Sequence, residues 1–87
     1  MQELIHFTAT WCQPCKAMAP MIDKFVEEHP EIGYQKIDID NPDSMLAIEK
    51  FSVRGVPTFV ILQDEEILAK HTGSATAEKF ASLFLDN

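Results

Sequence analysis

Both cysteines of this chain fall within four positions, in Trp11-Cys12-Gln13-Pro14-Cys15, and the hydrophobic pattern changes character there. Upstream, Leu4-Ile5-His6-Phe7 is a short, mostly apolar run, the pattern of a buried central strand. Downstream, Met18, Met21, Ile22, Phe25 and Val26 recur at three- and four-residue steps, the spacing of a helix with one apolar face. The cysteine pair therefore sits where a strand gives way to a helix. Unpaired N–H groups and the helix dipole favour negative charge at that point, so the first thiol ionises readily, and the thiolate is the nucleophile of disulfide exchange. Three-residue helical spacing puts both side chains on one face, with Cβ atoms about 5–6 Å apart. A local adjustment then brings the sulfurs within bonding range.

The remaining pattern supplies the order β-α-β-α-β-β-α. Pro14 falls in the first turn of the first helix, where a missing N–H costs nothing, and Pro20 lies deeper, where it predicts a kink. His29-Pro30-Glu31-Ile32-Gly33 ends that helix. Tyr34–Asp40 alternates, with Gln35, Ile37 and Ile39 on one face and Lys36 and Asp38 on the other. Asn41-Pro42-Asp43 or Ser44 starts a second helix carrying Met45, Leu46, Ile48 and Phe51. Thr58–Leu62 and Ile67–Thr72 read as a hairpin turned at Asp64-Glu65. A last helix follows, capped by Thr76, with Ala77, Phe80, Ala81 and Phe84 inward. The first two strands, joined through a helix, are expected to be parallel with a right-handed crossover. The fold class is α/β: one domain over residues 1–87, a four-stranded mixed sheet with helices on both faces.

Composition narrows the function. The formal charge of −7 disfavours nucleic acid and anionic membranes, which need basic residues. No apolar stretch reaches the length of a membrane span, and the N-terminus has neither the basic flank nor the long apolar core of a signal peptide. The expectation is a cytoplasmic monomer, in which a cysteine pair is catalytic or metal-binding rather than structural.

These residues resemble the thioredoxin family over nearly the whole chain. Trp11-Cys12-Gln13-Pro14-Cys15-Lys16 is similar to the family's W-C-G-P-C-K site, Pro20 to its helix-kinking proline, and Lys36-Ile37-Asp38-Ile39-Asp40 to its third-strand segment. Arg54-Gly55-Val56-Pro57-Thr58 resembles the cis-proline loop, and Gly73 a glycine of the substrate groove. The resemblance implies a minimal thioredoxin fold that begins at the central strand, without the N-terminal strand and helix, leaving Tyr34–Asp40 at a sheet edge. It departs from the family at Gln13, where glycine is usual, which alters the redox potential, and at His6, which occupies the place of a buried aspartate.

What the resemblance implies is a protein-disulfide reductase working through a Cys12/Cys15 dithiol–disulfide cycle, with no cofactor or metal. Cys12, expected to be the more exposed, attacks, and the more buried Cys15 resolves the mixed disulfide. His6, neutral, takes the Cys15 proton; a charged His6 would instead favour the thiolate. Trp11, Ile39, Gly55, Val56, Pro57 and Gly73 form the substrate-binding rim, and Gln13, Pro14 and Lys36 belong to the active-site surroundings. Partners are protein disulfides and a thioredoxin reductase-type recycling enzyme. Three alternatives stand beside this: a glutaredoxin-like donor using glutathione, a zinc module built on Cys12, Cys15 and His6, and a non-catalytic binding subunit. Met18, Met21 and Met45 are expected in the core.

Overall fold

A computed structural model describes residues 1–84. Four strands, β1 (Gln2–Thr8), β2 (Gly33–Asp38), β3 (Thr58–Gln63) and β4 (Glu66–Thr72), form one sheet in the order β2-β1-β3-β4. β2 is parallel to β1, and the other pairs are antiparallel. Helix α1 (Gln13–Glu28) connects β1 to β2. A 3₁₀ turn (Pro42–Ser44) and α2 (Met45–Lys50) lead to β3, and α3 (Ala77–Ser82) follows β4. This is the expected order, and α1 and α3 pack on one face while α2 packs on the other.

Strand parity divides the core. Leu4 of β1 and Phe59 and Ile61 of β3 meet Met18 and Ile22 of α1 and Phe80 and Phe84 beside α3. Ile5, Phe7, Val60 and Leu62 point the other way, onto Phe51 and the half-buried Ala47 and Ile48. The α1/α3 face is aromatic: Phe80 meets Phe59 edge-on at 5.1 Å, and Phe25 stacks on Phe84 at 4.8 Å. Truncating a buried phenylalanine of this kind costs about 3–5 kcal/mol through lost burial and the cavity left behind.

Local chemistry sets the element ends. α1 runs through Pro20 without ending, since one missing N–H removes one bond of a long helix. β2 stops at Asp38, two residues early, because the Asp38 carboxylate accepts the Asp40 N–H at 2.9 Å and turns the chain. Of the two candidate starts for the second helix, Asn41 caps, accepting the Asp43 N–H at 2.9 Å. Ser44 makes no cap bond; its hydroxyl donates to the Asp38 carbonyl. The β3–β4 turn places Asp64 and Glu65 at φ 51° and 75°, the left-handed pair that matches strand twist. Thr76 caps α3 as expected, accepting from the Lys79 N–H.

Two expectations about burial fail. Met45 is 62% exposed and Leu46 81%: α2 is only six residues long, and it packs on the core through Ala47 and Ile48 instead. Ala77 is exposed at the first turn of α3, whose inward side is carried by Phe80 and, just past its end, by Phe84 and half-buried Leu83.

Candidate active site

The junction after β1 builds the site. Cys12 keeps an extended backbone (φ −86°, ψ 106°) and is the N-cap of α1. Its N–H donates to the Ala9 carbonyl at 3.1 Å, and its own carbonyl accepts from the Lys16 N–H. Its sulfur accepts the Cys15 N–H at 3.2 Å, one of the donors that a helix start leaves unpaired. Gln13 and Pro14 occupy the first turn, exposed, with proline where no partner is lost. Cys12 and Cys15 are joined as a disulfide across a Cα–Cα distance of 5.2 Å.

The expected difference in exposure between the two cysteines is not found: Cys12 is 3% and Cys15 4% exposed. Ala9, Ile39 and Val56 pack over both, so the closed ring lies in an apolar seat. What distinguishes them is the cap, since a negative charge on Cys12 receives a helix N–H directly.

In front of the ring the residues expected in the rim come from four loops, after β1, after β2, before β3 and after β4. Trp11, 61% exposed, is anchored by its indole N–H donating to Asp40 Oδ2 at 2.8 Å. Ile39 follows β2 and is tied to β1 by its N–H to the Thr8 carbonyl. Val56 and Pro57, joined by a cis peptide, precede β3. The Thr58 hydroxyl donates to the Gly55 carbonyl at 2.6 Å, and the Gly73 N–H donates to the Pro57 carbonyl at 2.8 Å. Gly73 has φ +102°, a conformation that favours glycine, with open space where a side chain would project. Asp40, which holds the tryptophan, is not a predicted site residue; nothing local in its sequence marks it, since the contact spans 29 positions.

Behind the ring lies a cavity of about 440 Å³ lined by His6, Cys15, Lys16, Lys36 and Asp38, among others. β1–β2 pairing sets His6 opposite Lys36, which gives that lysine its place at the site. His6 is 3% exposed and stacks on Phe59 at 4.9 Å. Burial lowers its pKa to about 4, with the Lys36 charge adding to the effect and Asp23 opposing it. A ring shifted this way is neutral at neutral pH, which disfavours the charged alternative. His6 Nδ1 lies 3.3 Å from the Tyr34 hydroxyl, while Nε2 is buried without a hydrogen-bond partner among the described residues. Tyr34 is the second residue missing from the sequence-derived site. The β2 alternation puts it on the Lys36 face, and that parity is the signal that would have found it.

Among the described residues, no three His, Cys, Asp or Glu side chains gather to hold a metal ion, and the two cysteines are engaged with each other. No helix of these residues is long and apolar enough to cross a membrane.

A family profile described as Thioredoxin matches residues 1–86. Thioredoxin H3 of Arabidopsis thaliana is 35% identical over 80 residues, covering 92% of this chain and 66% of that protein. Thioredoxin-1 of Saccharomyces cerevisiae is 36% identical over 74 residues, covering 85% of this chain and 70% of its own length. The chain thus spans about two thirds of the length of these curated relatives. Among solved structures, Fasciola hepatica thioredoxin superposes with a TM-score of 0.83 at 29% identity, over 94% of this chain and 77% of that one.

Proposed function

The chain belongs to the thioredoxin family, and from that premise we propose that it is a thiol–disulfide oxidoreductase that reduces protein disulfides through Cys12 and Cys15. The observation that carries the reading is the disulfide closed over the start of α1, with the Cys12 sulfur capping the helix and an apolar rim before it.

In the reduced protein the Cys12 thiolate, stabilised by the Cys15 N–H, attacks one sulfur of a substrate disulfide. A Cys12–substrate bond forms, and the other substrate sulfur leaves with the electron pair and takes up a proton. Cys15 then loses its proton and attacks Cys12, releasing the second substrate thiol and closing the ring. Two electrons pass from the dithiol to the substrate. Pro14 stiffens the loop between the thiols and limits the entropy lost on closure.

His6 is the acceptor for the Cys15 proton, since both line the cavity behind the ring. It is a weak base there, its pKa lowered to about 4 chiefly by burial. The transfer therefore accompanies the attack on Cys12, and no imidazolium accumulates. Trp11, Ile39, Gly55, Val56, Pro57 and Gly73 receive an extended substrate segment, and Gln13, at the mouth of the site, tunes the potential. The protein acts as a cytoplasmic monomer, one unit over residues 1–87, recycled by a thioredoxin reductase-type enzyme.

Insulin-disulfide reduction tests this. Turnover is expected with a NADPH-dependent reductase as electron source; turnover with glutathione alone would assign the glutaredoxin-like reading. Retained biological function in the Cys12→Ser, Cys15→Ser protein would assign the non-catalytic one.

A further inference from the structure

Tyr34 stands on the edge strand and has no part in the cycle above. Its hydroxyl oxygen lies 3.3 Å from His6 Nδ1, whereas His6 Nε2 has no partner among the described residues. A neutral imidazole carries one N–H and one bare nitrogen, so a single hydrogen must be assigned to one of the two sites. An N–H buried at Nε2 would forfeit its hydrogen bond, while the same hydrogen at Nδ1 reaches the Tyr34 oxygen. Tyr34 can accept it because the residue reaches the surface, 36% exposed, and its own hydroxyl hydrogen is free to turn to water. Burial, and then the charge of Asp23, push the Tyr34 pKa above its ordinary value, so the phenol stays protonated and remains a neutral acceptor.

We propose that Tyr34 is a positioning residue for the resolving step: by accepting the Nδ1–H hydrogen bond it holds His6 in the tautomer whose bare Nε2 can take the Cys15 proton. The surroundings suit the role from each packed element. From α1, Cys15 and Lys16 line the shared cavity and Asp23 favours a positive ring; from β2, Lys36 disfavours it and Asp38 lies on the cavity wall. From β3, Phe59 fixes the ring plane by stacking. In the step itself, Nε2 gains the Cys15 proton as the Cys15 sulfur bonds to Cys12. The Cys12–substrate bond breaks, the electron pair leaves on the substrate sulfur, and that sulfur is protonated by the imidazolium or by water. The kinetic half of this inference rests on the proposed reductase activity; the tautomer does not.

Long-range ¹H–¹⁵N NMR of the His6 ring in the folded protein at pH 7 reads the tautomer directly. The expected result is a hydrogen on Nδ1 and a bare Nε2, shifting toward Nε2–H in Tyr34→Phe, which keeps the ring but removes the oxygen. Cys12 is then loaded as a mixed disulfide with thionitrobenzoate, and release of the chromophore follows the Cys15 attack. Tyr34→Phe is expected to slow this release about three- to tenfold at pH 7 and to approach wild type near pH 9, where hydroxide removes the Cys15 proton. A wild-type ring protonated on Nε2 overturns the proposal, whether or not the variant folds. So does a Tyr34→Phe protein with unchanged tautomer and unchanged release. Absence of insulin reduction by the wild type would instead overturn the functional reading and leave the tautomer result standing.

Discussion

The two sides of the Cys12–Cys15 ring are made differently. In front, Trp11, Ile39 and Val56 are apolar side chains presented from loops, and hydrogen bonds such as Trp11 to Asp40, Ile39 to Thr8 and Gly73 to Pro57 tie those loops to their neighbours. Behind, His6, Lys36 and Tyr34 are polar and come from paired strands, with His6 and Lys36 opposite each other in the β1–β2 register. A docking surface for varied protein segments needs apolar area and open backbone and tolerates some play. A proton acceptor needs its ring in a fixed plane, with the tautomer set by a partner on the far nitrogen. In the proposed cycle loops supply the first and strand register the second, and the helix N-terminus joins them because Cys12 caps it while Cys15 lines the cavity behind.

The largest effects are expected at the ring itself. Cys12→Ser is expected to reduce insulin-disulfide turnover to background, whereas Cys15→Ser should accumulate a stoichiometric mixed disulfide on Cys12, seen by intact mass. Accumulation on Cys15 in the reciprocal variant would exchange the two roles. The rear side carries the next largest effect. Because folding lowers the His6 pKa from 6.5 to about 4, the unfolded chain binds more protons between those values. The stability this gives is complete above pH 6.5 and is lost as pH falls to 4, on the order of 3 kcal/mol in all. Urea unfolding across that range should show the slope, and it should flatten in His6→Gln; an equal slope in both would assign the acid sensitivity to the carboxylates.

The front side is expected to respond through binding instead. Trp11→Ala should raise KM for a protein disulfide about tenfold, with little change in kcat and in the acid stability profile. Equal losses in kcat and kcat/KM would place the indole in the chemistry rather than in docking. Smallest is Lys36→Gln, which removes a charge that opposes protonation of His6. It should shift the His6 proton uptake to higher pH, read by NMR titration, with less than about 1 kcal/mol of effect on stability at neutral pH, since the lysine is solvated.

Much of this architecture is legible in local pattern. The strand-to-helix change at Cys12 and the Thr76 cap appear in the structure at the residues that announce them, because each depends on neighbours within a few positions. The Asp64-Glu65 turn does too, without a glycine. Met45 misleads for the same reason. Its spacing to Ile48 is helical, but Ile48 packs on the core and Met45 does not, and apolar periodicity does not report how a short helix is rotated on the sheet. Cys12 and Cys15 mislead in exposure because the residues that cover them, Ile39 and Val56, arrive from 24 or more positions away.

By itself the sequence determined the element order, the disulfide chemistry at the first helix start and the family, since these follow from residue type and short-range spacing. The tertiary structure alone decided the state of His6. A histidine on an apolar strand is compatible with a charged ring, a metal ligand or a plain core residue. Only strand pairing beside Lys36 and Tyr34, stacking on Phe59 and a shared cavity with Cys15 make it a neutral ring with one engaged nitrogen and one bare of partners. Desolvation and register are properties of the packed sheet, and they exist only once residues distant in the chain have met.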